Sequence, residues 1–166
     1  MVLETMPDFW RTEVFHPLSV HFPIALLLFA TVAKTIACFS NRETFHYGGS
    51  LLLYLGVVGI WIAIYTGNLA DGAVGRTLCD PTILKTHENW GYNCAWIFTA
   101  AMGLDLLLRY GYRYTAHFQK LLKRFSLLLM FVGTAALFYV GHLGATLTYQ
   151  QAAGVYIPTN DCREFE

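Results

Sequence analysis

At 166 residues with a formal net charge of zero, the chain is the size of one domain and lacks the basic surface that phosphate binding needs, which excludes nucleic acid as a partner. Hydrophobic residues make up 55% of it and charged residues only 13%, about half the charge of a water-soluble domain, which excludes an ordinary soluble enzyme.

The first fifteen residues, MVLETMPDFWRTEVF, carry more acid than base, the reverse of a signal-peptide n-region, so no cleavable signal is expected there. Four apolar segments follow, each of about twenty residues, enough to cross a hydrocarbon core about 30 Å thick. They cover residues 17–39, 47–69, 89–110 and 121–147. Stretches such as LLLYLGVVGIWIAIY show no polar face at the helical period, which a soluble bundle would need. The connections, of about 7, 19 and 10 residues, favour antiparallel neighbours. The expected fold class is therefore all-α, an integral-membrane antiparallel four-helix bundle, as a single domain over residues 1–166 in contact with the lipid bilayer.

Let A be the side of the first helix's start and B the other. Side B receives Arg42, Arg109, Arg113, Lys120, Lys123 and Arg124, with Lys34 able to snorkel toward it. Side A receives only Arg11, Arg76, Lys85 and Arg163, so seven basic residues oppose four. The positive-inside rule makes B cytoplasmic and places both termini in the periplasm of a bacterial inner membrane. Aromatic residues mark both boundaries: Trp10, Trp61, Tyr65, Trp90, Tyr92 and Trp96 toward A, and Tyr47, Tyr110, Tyr112 and Tyr114 toward B.

Four histidines fall on side A: His16 and His21 at the first span, His87 before the third, and His142 near the end of the fourth. His142 lies eighteen residues beyond Arg124, or about 27 Å of helical rise, close to the outer interface. Pro17 suits an initial helical position, and His16 and His21, five residues apart, point about 140° from each other. Ionisable or ligating side chains at membrane depth are functional candidates. Imidazoles at one level on three helices suggest axial ligands for one or two b haems, and the same four are the ligands for copper or zinc in the alternative reading. No CxxCH sequence occurs, so a haem would be held non-covalently. Gly91, Gly141 and Gly144 leave room for a flat macrocycle, and Phe22 and Trp90 offer stacking walls. Asp71 and Glu88 are the acids nearest this layer and candidate acceptors for an imidazole N–H. Asp105, inside the third span, has Arg109 four residues later as its expected ion partner. His46 and His117 fall in the B-side loops as exposed histidines. Cys79 and Cys162 are both on side A, where a disulfide between them would persist, while Cys38 and Cys94 read as packing residues.

HPLSVHFPIALLLFA at the first helix and GHLGATLTYQQAAGV at the end of the fourth resemble a family of small bacterial integral-membrane proteins of unknown function. The pattern falls on His16, Pro17, His21, Phe22, Pro23, Gly67, His87, Gly141, His142, Gly144, Ala145, Tyr149 and Gly154. Thr148 and Ala152 depart from it, standing where valine and glycine are common. The family is similar in layout to b-type cytochrome membrane subunits and occurs beside c-type cytochrome modules. The resemblance thus implies haem and a respiratory or redox complex as setting.

No nucleophile triad, carboxylate pair or phosphate-binding loop is visible, so an electron-transfer subunit is expected rather than an independent enzyme. It would exchange electrons with quinone or a periplasmic donor such as a c-type cytochrome. The competing readings are the copper or zinc protein and a structural subunit whose histidines are merely interfacial.

Overall fold

In the computed structural model the described residues are 9–40, 42–111 and 116–157. They form four long helices and no strand: α1 (Thr12–Phe39), α2 (Glu43–Val74), α3 (Pro81–Tyr110) and α4 (Gln119–Gln151). Each is long and apolar enough to cross a membrane. α1 packs chiefly on α2 and α3 chiefly on α4, while α2 against α3 and α1 against α4 close the ring. α1 and α3 therefore stand on one diagonal and α2 and α4 on the other.

The helices outrun the apolar segments, most of all at end A, where α1 and α3 begin and α2 and α4 finish. Hydropathy marks where lipid is, whereas a helix ends where its backbone bonds can be capped. Residues 70–74, beyond the apolar segment, stay helical until Gly75, whose N–H bonds the Asp71 carbonyl at 2.8 Å. α3 starts at Pro81 behind an Asp80 cap whose carboxylate accepts from Thr82 N at 2.9 Å and Thr82 Oγ1 at 2.6 Å. Those two bonds hold the Asp80 carboxyl below its ordinary pKa. His87 consequently lies nearly two turns inside α3 rather than ahead of it. α1 likewise begins at Thr12, which makes Pro17 interior rather than initial, and His46 belongs to the first turn of α2 rather than to a loop.

Apolar side chains cover the outside of the bundle as well as its interior. Phe22, Phe29, Leu51, Val58, Phe131 and Phe138 point outward, as a lipid solvent requires. The interior is built largely of small residues that let backbones approach. A Cβ on Gly56 would lie 2.6 Å from Leu27 Cδ2, and one on Gly133 would lie 2.8 Å from Phe98 Cε2. Leu27 and Phe98 are themselves completely buried. Gly133→Ala should therefore destabilise the bundle by about 1–3 kcal/mol through overpacking, and Phe98→Leu in the same chain should recover most of it. Thermal unfolding in detergent measures both.

The C-terminus of α4 closes on a left-handed Ala152 with φ of 53°, and Ala153 N–H reaches back to the Leu147 carbonyl at 3.0 Å. That is the position where the family pattern has glycine. An L side chain strains this conformation, so Ala152→Gly should stabilise the protein by about 0.5–1 kcal/mol in the same melts.

Candidate functional site

Inward positions on α1 are His16, Pro23, Leu27, Ala30 and Lys34, and on α3 they are His87, Cys94, Phe98, Ala101 and Asp105. Spacings of seven, four, three and four residues keep each set on one face. At end A the two diagonal helices bring His16 and His87 together across the bundle's centre, ring centroids 6.0 Å apart and planes at 87°.

Each imidazole is anchored to its neighbouring helix. His16 Nδ1 lies 2.8 Å from the Ala63 carbonyl on α2, and His87 Nδ1 lies 3.1 Å from the Val140 carbonyl on α4. A carbonyl oxygen has no proton to give, so both Nδ1 atoms are donors. For neutral rings this fixes the tautomer and leaves both Nε2 lone pairs available. A glycine four residues beyond each anchoring carbonyl lets the ring come in: a Cβ on Gly67 would stand 3.1 Å from His16 Nδ1, and one on Gly144 3.3 Å from His87 Cε1. Ser19 supports the first ring's turn, donating to the His16 carbonyl at 3.0 Å and meeting Thr66 Oγ1 at 2.8 Å.

The other two histidines do not join this pair. His21 and His142 are exposed, because the inner stripe of α4 passes through Leu137, Val140, Gly144 and Leu147, and that of α1 through His16 and Pro23. Five residues of helix turn His21 away from His16, as the helical period requires. The four histidines share end A of the bundle but not a direction. Among the expected pocket residues, Gly144 abuts an imidazole, whereas a Cβ on Gly91 or Gly141 would meet nothing within 4 Å. Phe22 faces outward, and Trp90 stacks edge-on with Tyr139 at 5.1 Å. The imidazole N–H acceptors are backbone carbonyls in place of Asp71 and Glu88; Glu88 pairs with Lys85 at 2.8 Å and Asp71 is exposed. Among the described residues no group of three or more His, Cys, Asp or Glu side chains is placed to hold a metal ion. Cys79 is exposed, and its expected partner Cys162 lies outside the described residues.

Sequence reasoning missed a second polar cluster near end B. Lys34 does not snorkel outward; its ammonium pairs with Asp105 Oδ1 and donates to Ser50 Oγ at 2.7 Å, while Tyr54 Oη donates to Asp105 Oδ2 at 2.7 Å. Arg109 is not the partner of Asp105 but lies over the Tyr47 ring, 4.9 Å from its centroid. The signal was the matched spacing: Lys34 follows His16, and Asp105 follows His87, by the same eighteen residues, five full helical turns.

Four crossing helices, outward apolar side chains and an imidazole pair on the central axis define a multi-pass α-helical membrane protein. The chain belongs to the DUF2231 family of predicted membrane proteins, whose profile matches residues 13–156. No curated protein and no solved structure matches the chain.

Proposed function

We propose that this protein is a membrane electron-transfer subunit whose end A carries one b-type haem with His16 and His87 as axial ligands. The observation that carries the reading is the pair itself: two Nδ1–H groups committed to carbonyls, two free Nε2 atoms, and ring centroids 6.0 Å apart. Imidazoles on opposite sides of one metal, with bonds of about 2.0 Å to each nitrogen, have ring centres about 6 Å apart. A backbone acceptor behind each ligand is the usual support for a metal-bound histidine. The donor set favours haem over a bare ion. Two imidazoles leave zinc two ligands short, while a haem iron takes its other four from the macrocycle. When bound, the haem would supply one-electron chemistry; the protein would supply the ligands, their orientation and an apolar surround.

The basic residues at end B support a cytoplasmic B face, with end A and both termini toward the periplasm of a bacterial inner membrane. That orientation sets the haem near the outer surface, within reach of a quinone in the bilayer or a periplasmic c-type cytochrome, as part of a larger respiratory complex.

The purified protein should show a b-type α band in its reduced-minus-oxidised spectrum and yield one extractable haem per chain. Stoichiometric copper or zinc without haem would replace this reading with the metal-binding one. Absence of both would leave a structural subunit.

A further inference from the structure

Interior positions of the two helical hairpins stand in register. Moving 71 residues along the chain carries His16 onto His87, Leu27 onto Phe98, Ala30 onto Ala101 and Lys34 onto Asp105. Moving 77 residues carries Leu53 onto Met130, Gly56 onto Gly133, Ile60 onto Leu137 and Gly67 onto Gly144. Contacts repeat with the positions. Leu27 fills the space beside Gly56 as Phe98 fills that beside Gly133. His16 bonds a carbonyl four residues before Gly67, and His87 bonds one four residues before Gly144.

We propose that the bundle is two copies of one hairpin docked about an axis along the membrane normal, and that the Lys34–Asp105 pair makes each hairpin accept the other and refuse its own copy. On such an axis each residue that points at the centre faces its counterpart. Histidine meets histidine at end A, and the layers of Leu27 with Phe98 and Ala30 with Ala101 are apolar on both sides. None of those layers distinguishes docking of hairpin one (α1–α2) on hairpin two (α3–α4) from docking of two identical hairpins from separate chains.

The layer of Lys34 and Asp105 breaks the repeat. Its charges are opposite, and its supporting Ser50 and Tyr54 come from α2 alone, their counterparts on α4 being Leu127 and Phe131. Two first hairpins would set Lys34 against a second Lys34, and two second hairpins would set Asp105 against a second Asp105. Like charges at membrane depth are strongly disfavoured. A single polar pair in an otherwise apolar interface is an effective selector of partner and register, through what it forbids as much as what it joins.

The test uses the full-length chain in two differently tagged forms. Lys34→Asp or Asp105→Lys alone should lower the recovery of monodisperse monomer by about tenfold, the effect of a mispaired charge inside the bundle. The exchanged pair K34D/D105K should restore it. Co-expressing K34D with D105K should return both chains together as a one-to-one dimer, because hairpin one of each now matches hairpin two of the other. The apolar variant K34M/D105L should still fold but divide between the parent's form and dimers in which like hairpins dock on one another. Failure of the exchanged pair to recover, loss of both chains on co-expression, or a K34M/D105L protein as monomeric as the parent would overturn the proposal.

Discussion

On the haem reading proposed above, replacing His87 with alanine should abolish a b-type absorption of the purified protein, with extractable haem falling by about tenfold or more. His16→Ala should do the same, because the proposed site would draw one ligand from each of two diagonal helices. His21→Ala and His142→Ala are the informative controls. Both side chains are exposed and off the inner stripes, so both variants should keep the parent's α band and haem content. The reverse pattern, with loss on removing His21 or His142 and retention without His16 or His87, would place the cofactor on the outside of the bundle. Anaerobic dithionite spectra of the four variants, each normalised to protein, decide between them.

The second large effect belongs to Asp105. Its side chain is 13% exposed and that of Lys34 16%, so neither charge has bulk water as a partner. Asp105→Ala leaves the Lys34 ammonium with only the Ser50 hydroxyl and strands the Tyr54 hydroxyl. Removal of one partner from a buried pair costs about 3–5 kcal/mol, whereas replacing both by apolar groups of similar volume costs far less. Asp105→Ala and Lys34→Ala should each lower the melting temperature in detergent steeply, and K34M/D105L should lie closer to the parent than either. Equal losses in all three would mean that packing volume, not unpaired charge, sets the effect.

Much of this fold was legible because lipid imposes a simple rule: apolar stretches long enough to span do span, and short connections make neighbours antiparallel. The ends of the helices were not legible in the same way, since capping by Asp80 and Pro81 extends α3 well beyond its apolar stretch. Histidine height followed from rise per residue, and all four do belong to end A. Direction around each helix decided which met. On α4, Val140 and Gly144 face inward while His142, two residues from each, turns some 200° away. The Lys34–Asp105 pair was hidden by a local rule, that a carboxylate seeks a base four residues on. Across a bundle the partner on the facing helix wins when it shares the interior and the local one does not. Arg109, exposed near the end of α3, finds an aromatic ring instead.

The packing of Leu27 and Phe98 against bare glycine backbone has an electrical consequence. Between the imidazoles and the ion pair, along about 27 Å of axis, the inward positions are Pro23, Leu27 and Ala30 facing Cys94, Phe98 and Ala101, all buried and none charged. Apart from the Thr31–Thr134 hydroxyl pair and the Cys94 thiol, this stretch offers a hopping proton no ionisable station. An apolar middle of this kind opposes the passage of charge along the bundle's axis. In the redox role proposed above, electron exchange at one face would proceed without short-circuiting the gradient stored across the bilayer.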